Sequence, residues 1–324
     1  MTDALSGRRC LVLGAGGFIG LNLCRALHAA GARVHGFGRL PEFPDAPALD
    51  SWTDAEFGDH VALARALKDV EVVFHLLGGS VPGEVERDPA GDLRTNAAAS
   101  LELFSLCRAA GTRRLVFASS GGTVYGPATT LPIPEDHPTN PISAYGIHKL
   151  LIEKHLGLHV YRDSLHAMVL RPANPYGPYQ RPGRGQGLVA NLIMRRLTGK
   201  PIEIWGDGST VRDYLHVDDL VRALLAAASY EGPHRILNVG SGIGRSVKEV
   251  VAAVDEVLGI RAAAVRFLPG RQADVPANVL DVSRIRAELG WSVQVEWLRG
   301  MRQTADWLKD AYGKVESTRP AGRP

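Results

Sequence analysis

Two short segments carry residue types at a spacing that one kind of reaction needs. The first is Tyr145-Gly146-Ile147-His148-Lys149, a tyrosine with a lysine four residues on. Residues i and i+4 share one face of a helix, so the ammonium can stand beside the phenol. A cation there stabilises phenolate, as would a positively charged nicotinamide, moving a phenol from about 10 toward physiological pH. The spacing recurs by accident on many helices and gains meaning from the second segment. That segment is Gly14-Ala15-Gly16-Gly17-Phe18-Ile19-Gly20, which closes the first hydrophobic strand. Gly14, Gly17 and Gly20 allow a tight turn and close backbone approach. The helix opening at Phe18 and Ile19 turns its positive end toward pyrophosphate. A dinucleotide cradle with an acid–base tyrosine implies redox chemistry at a carbon bearing a hydroxyl.

The remaining candidates are open to two readings each. The second strand of such a unit usually ends in an acid that binds the adenosine ribose. Here it runs Val34-His35-Gly36-Phe37-Gly38-Arg39, and Gly38 stands in the acid's place. Arg39 is then either a seat for the 2′-phosphate of NADP or a solvated loop arginine. Ser119 and Ser120 close a later strand and precede Gly122-Thr123-Val124-Tyr125-Gly126. Hydroxyls at that edge can reach a substrate hydroxyl or Tyr145, although serines are common at strand ends. Arg212 and Arg271 are candidates for clamping a diphosphate, since guanidinium groups bind phosphate oxygens bidentately. Composition alone leaves both as solvated charges. The eleven histidines show no metal-ligand spacing, and no metal is expected.

These groups need a scaffold that gathers strand ends. Strands are read at 9–13, 33–37, 70–77, 114–119 and 166–171, with helices at 18–30, 61–68, 93–110 and 143–161 between them. In the first helix Ile19, Leu23, Ala26, Leu27 and Ala30 share a face, and Gly31 ends it. Such alternation predicts an α/β fold, a doubly wound parallel (Rossmann) sheet, with ligands outside the carboxyl ends of the strands. After Pro172, residues 174–187 are dense in Pro, Gly, Tyr and Arg and read as loop. Helices at 188–198 and 217–229, a strand at 235–239 and a mixed region to 309 follow. The expected division is a dinucleotide-binding domain of residues 1–173 and 213–240 and a smaller substrate-binding lobe of 174–212 and 241–312. A frayed tail is expected over 313–324.

Bulk properties narrow the class. The chain of 324 residues carries 37 Lys and Arg against 34 Asp and Glu, a net charge of +3 mixed along its length. That balance leaves no footprint of nucleic-acid or membrane binding. Hydrophobic residues at 45% and charged ones at 22% are ordinary for a globular protein. Arg8-Arg9 before the apolar run 10–23 resembles a signal peptide, but four glycines and Asn22 interrupt it and no small-residue cleavage site follows. No other stretch nears the ~20 apolar residues of a membrane span. Cys10, Cys24 and Cys107 are scattered and odd in number, so no disulfide framework is suggested and a reducing cytoplasm fits.

From about residue 8 to 312 the chain resembles the extended short-chain dehydrogenase/reductase family, in its nucleotide-sugar 4-epimerase/dehydratase branch. The resemblance rests on GAGGFIG (14–20), Gly58-Asp59, Asp92 with Asn96, SSGGTVYG (119–126) and YGIHK (145–149). RPANPYGP (171–178), GDGSTVRDYLHVDDL (206–220) and Arg271 with Asp274 extend it. It implies that Asp59 contacts adenine, that Asn96 and Ser119 lie along the cofactor, and that Lys149 binds the nicotinamide ribose while Tyr145 is the acid–base. It implies a substrate site of Ser120, Asn174, Leu188, Arg212, Arg271 and Asn278. Asn174 would lie near the sugar–phosphate junction, with the two arginines on the diphosphate. Asn278 stands where the galactose-epimerase pattern has a bulky tyrosine beside the hexose. The implied cofactor is NAD, with NADP open; the implied partner is a UDP- or dTDP-sugar, and the implied assembly a homodimer.

Two departures accompany the resemblance. Gly121 occupies the place of a second catalytic hydroxyl, serine in galactose epimerases and threonine in dehydratases. Thr123, on the same strand face if the segment stays extended, is the expected substitute, with Ser120 a weaker one. The Asp-Glu pair of dehydratases is absent at Gly122-Thr123, which argues against dehydration; the other departure is the missing ribose acid at Gly38. The implied activity is 4-epimerisation of a nucleoside-diphosphate sugar through a transient 4-keto sugar. An NADP(H)-dependent 4-ketoreductase would use the same residues, and a non-catalytic dinucleotide sensor is the reading of another class.

Overall fold

Residues Arg9–Leu13 (β1) are buried except Arg9, as a central parallel strand covered on both faces must be. Their alternation serves two cores: Val12 packs on one side of the sheet and Leu11 and Leu13 on the other. The computed structural model describes residues 2–78, 82–163, 165–183, 185–260, 264–270 and 275–316. The next strands are β2 (Arg33–Phe37), β3 (Ser51–Thr53), β4 (Val72–His75), β5 (Arg114–Ala118), β6 (His166–Pro172) and β7 (Asn174–Tyr176). Then come β8 (Ile202–Trp205), β9 (Val211–His216), β10 (Ile236–Val239), β11 (Gly244–Ser246), β12 (Val265–Leu268) and β13 (Ala277–Asn278). The helices are α1 (Phe18–Ala29), α2 (His60–Ala66), α3 (Pro82–Val85), α4 (Pro89–Asp92), α5 (Ala99–Ala110) and α6 (Ala144–Asp163). They continue with α7 (Leu188–Leu197), α8 (Val217–Ala227), α9 (Val247–Leu258), α10 (Ser283–Leu289) and α11 (Trp297–Glu316).

Seven strands form one sheet in the order β10-β6-β5-β4-β1-β2-β3, paired in parallel throughout. This is the doubly wound Rossmann arrangement that the alternation predicts. Leu13 is in register with Phe37 and with His75, and His75 with Phe117. The segments that follow these residues therefore leave the sheet along one edge. The winding reverses between β1 and β4, which is where such sheets bind ligands. Helices α1 and α8 cover one face through Leu23, Leu27, Leu220 and Leu224; α2, α5 and α6 cover the other through Leu63, Leu103 and Ile152.

A smaller sheet, β11-β9-β13 with β7 also paired to β9, stands beside β8 and β12, which pair with each other. Val189, Ile193, Val250, Val254, Met301 and Ala305, from α7, α9 and α11, form a separate apolar cluster there. Leu280, Val282, Ile285 and Trp291 pack instead with α1 and α8, although the stretch 241–312 reads as lobe in the sequence. The expected helix over 93–110 is divided: Leu93–Ala98 winds as a π turn before α5 begins. Of the frayed tail expected over 313–324, residues 313–316 belong to α11, and 317–324 lie outside the described residues. Among the described residues no helix is long and apolar enough to cross a membrane.

Candidate active site

The glycine turn is shaped as a cradle. The Gly17 amide donates to the Gly14 carbonyl at 3.0 Å. A Cβ at Gly20 would lie 2.1 Å from that carbonyl and 2.8 Å from the Ala15 Cα, so only glycine lets α1 start flush with β1. Gly17 caps α1 without a side-chain hydrogen bond, which leaves the first amides of the helix for a bound anion. These features fit the pyrophosphate of a dinucleotide held by Gly14, Gly17, Phe18, Ile19 and Gly20.

At the adenosine end, Gly38 has φ of +110° and its carbonyl accepts from Trp52 Nε1 at 2.8 Å. The absence of an acid there has a backbone cause, because an aspartate would be strained in that region. Arg39 beside it is exposed, and its carbonyl lies against Gly16. Asp59 is exposed at the start of α2, where its Oδ1 accepts from the Ala62 amide at 2.9 Å.

The cradle is continuous with the acid–base pair. Leu77 lies against Gly14, and Gly78 faces Lys149 so closely that a Cβ there would come within 2.7 Å of Nζ. Lys149 is buried; its Nζ donates to the Ala118 carbonyl at 3.0 Å and stands 5.8 Å from the centroid of the Tyr145 ring. Burial pushes Lys149 down to about 8, against the opposing pull of Asp92 and Glu153. Burial also pushes Tyr145 up to about 12, and the charge of Asp92 adds to it. This direction is opposite to the lowering expected of Lys149 and a nicotinamide charge together, because burial disfavours the phenolate.

The turn after β5 departs from expectation too. Residues 121–125 are not extended: the Thr123 and Val124 amides turn back to the Ser120 carbonyl at 3.4 and 3.2 Å. The strand alternation expected to carry Thr123 is thus replaced by a turn. The Thr123 carbonyl lies under Gly146, in the first turn of α6, and its Oγ1 is buried without a partner among the described residues. A Cβ at Gly121 would fall 2.6 Å from Leu280 Cδ1 and 2.8 Å from the Arg171 carbonyl. The missing hydroxyl at 121 thus reflects packing that has closed over the position.

Asn278 is buried; its amide donates to the Gly121 carbonyl at 3.1 Å, and its Oδ1 has no partner among the described residues. Asn174 donates to the Asp213 carbonyl at 2.9 Å and shares the Gly122 side of this turn with Ser120. Arg212 pairs in register with Asn278, and its Nη1 donates to the carbonyls of Val211 and Val275. Leu188 opens α7, half-buried against the lobe cluster. Arg271 lies outside the described residues.

Ser119 is placed behind the site. Its hydroxyl donates to Glu153 Oε1, which also receives Arg171 Nε at 3.1 Å. Arg171 Nη1 continues to the Tyr125 hydroxyl at 2.9 Å, and that hydroxyl donates to Asn238 Oδ1 at 2.7 Å. The sequence reading missed Glu153, although 145, 149 and 153 repeat one helical face. It also missed the meaning of His148. His148 Nδ1 meets Asp92 Oδ2 at 2.7 Å, while the Asn96 amide donates to Asp92 Oδ1. Among the described residues no cluster of His, Cys, Asp or Glu could hold a metal.

A parallel sheet wound this way, with a glycine cradle leading to a tyrosine beside a buried lysine, defines a dinucleotide-dependent enzyme of the short-chain type. The pattern of the NAD dependent epimerase/dehydratase family matches residues 10–240, and the chain belongs to that family. It is 36% identical over 312 residues to a UDP-glucose 4-epimerase of Mycolicibacterium smegmatis, covering 93% of this chain and 99% of that one. It is 29% identical over 291 residues to a dTDP-4-dehydro-6-deoxyglucose reductase of Escherichia coli, covering 87% and 91%. Among solved structures, a UDP-glucose 4-epimerase with UDP-glucose from Thermotoga maritima superposes with a TM-score of 0.87 at 33% identity, covering 93% and 99%.

Proposed function

We propose that the protein is an NAD-dependent 4-epimerase of nucleoside-diphosphate hexoses, acting on a UDP- or dTDP-sugar. The observation that carries this reading is the pair of half-buried Tyr145 and buried Lys149 facing the end of the glycine cradle, with the Thr123 carbonyl against Gly146 in the same helical turn. Likeness to UDP-glucose 4-epimerases over nearly the whole chain supports it. Bound NAD would supply a reversible hydride store at the sugar C4. Tyr145 takes the 4-hydroxyl proton and later returns it, and Lys149 holds the phenolate by charge. Thr123 Oγ1 hydrogen-bonds the same hydroxyl. Arg212 and Arg271 anchor the diphosphate, with Asn174 at the sugar–phosphate junction, Leu188 on the nucleotide side and Asn278 beside the hexose. The 4-keto sugar turns about that anchor and presents its other face.

Exposed apolar side chains along α6, Ile147, Leu158 and Tyr161, support a homodimer. The three free cysteines are compatible with a cytoplasmic setting. A second reading is favoured by Arg39, exposed next to an absent ribose acid: an NADPH-dependent 4-ketoreductase. One experiment separates the two. Purified protein incubated with UDP- and dTDP-hexoses, without added cofactor, should interconvert C4 epimers. Turnover that begins only when NADPH and a 4-keto sugar are supplied would replace the first reading by the second.

A further inference from the structure

We propose that Asp92, clamped between His148 and Asn96, is a positioning residue that sets the charge against which Tyr145 and Lys149 work. This rests on the reading of those two as the acid–base pair. The Asp92 carboxylate is 7% exposed, and a buried carboxylate needs partners. The structure gives it two, His148 Nδ1 at 2.7 Å and the Asn96 amide, and neither is a permanent cation. Tyr145 and Lys149 both feel its negative charge. His148 lies on α6 between them, so the helix that presents the tyrosine–lysine pair also holds Asp92 against it.

Other charges on the packed elements do not compete. On α3 and the turn after it, Glu84, Glu86, Arg87 and Asp88 are exposed; Glu86 accepts the Ala144 amide, and Asp88 caps the Gly91 amide. Arg94 on the π turn and Glu102 on α5 are also exposed. On α6, Glu153 is matched by Arg171 at 2.6 Å. On β4, His75 is buried, with Nε2 on the Ser100 hydroxyl and its ring disfavouring the charged form through burial.

The signs follow. A nearby negative charge raises the pKa of a phenol and of an ammonium alike. Asp92→Asn should therefore displace the ionisations of both Tyr145 and Lys149, and with them the pH–rate profile, toward acid by about 1 unit. His148→Asn keeps the Asp92 carboxylate and should give no displacement toward acid. Ring-labelled tyrosine gives a second readout that needs no substrate: the Tyr145 Cζ resonance, assigned by its loss in Tyr145→Phe, titrated in each variant. A midpoint displaced toward acid in Asp92→Asn and not in His148→Asn supports the proposal. A midpoint in Asp92→Asn that stays within about 0.2 unit of the parent or moves toward alkali, or one displaced toward acid in both variants, overturns it. The resonance reports on Asp92 even if no sugar is epimerised, so failure of the proposed activity is seen separately.

Discussion

Tyr145 and Thr123 make different demands on their neighbours, and their substitutions should separate. Tyr145→Phe removes the group that carries the proton, and is expected to lower kcat about 10²–10⁴-fold with thermal stability and dinucleotide binding unchanged. Retention of more than about a tenth of the parent rate would remove Tyr145 from the mechanism. Thr123 Oγ1 has no partner among the described residues to lose, so Thr123→Val should leave the melting temperature unchanged while turnover falls at least about tenfold. Unchanged kinetics would pass that role to Ser120. Serine at 121 does not rescue it. Its Cβ would meet the Arg171 backbone, and Gly121→Ser is expected to cost about 1–3 kcal/mol, read as a lower melting temperature. At this scale the tyrosine–lysine pair is legible from its spacing read together with the glycine turn. The reasons for Gly38 and Gly121 are not, because one lies in a backbone angle and the other in Leu280, far along the chain.

Helix α6 shows why an element carries more than its motif. Positions 145, 149 and 153 recur on one face; the last is buried in an ion pair with Arg171 whose side chains are each 2% exposed. Removing one charge of such a pair strands the other in the core. Glu153→Gln should accordingly destabilise the protein by about 3–5 kcal/mol, measured by denaturant unfolding, and free the Ser119 hydroxyl. A loss under about 1 kcal/mol would mean that water or Glu135 takes over. The long elements are readable because their own residues repeat at 3.6 or 2 and are buried accordingly. Strands such as β3, β11 and β13, two or three residues long, are not. What makes them strands is a partner elsewhere, as Asn278 against Arg212 shows, and no local pattern encodes it. The π turn at Leu93–Ala98 is hidden for a similar reason, since its sequence is helical and only the hydrogen-bond step differs.

Across the whole molecule, the loop after β2 ties the cofactor end to the rest. Arg39–Pro41 pass against Gly16, and Phe43 then packs edge-on to Tyr179 at 5.5 Å and to Trp307 of α11 at 5.2 Å. Arg181 pairs with Glu42 at 2.8 Å and stands over the Phe43 ring, while the Tyr179 hydroxyl donates to Asp45. Asn22 of α1 donates to the Pro178 carbonyl at 2.9 Å and closes the circuit. Tyr179 accepts a φ of +68° to take part, a conformation that non-glycine residues adopt only where surroundings enforce it. Three segments more than 100 residues apart meet here, which places the contact beyond any sequence window. A loop held this way across the glycine cradle should slow the departure of a dinucleotide. Phe43→Ala is expected to weaken dinucleotide binding about tenfold, equivalent to about 1.4 kcal/mol, without touching Tyr145 or Lys149. Dialysis of parent and variant, followed by release and quantification of the nucleotide, measures this directly. Added NAD should restore the variant's rate to near the parent's, because the acid–base residues are untouched. Equal occupancy after dialysis would leave the aromatic contact a role in packing alone.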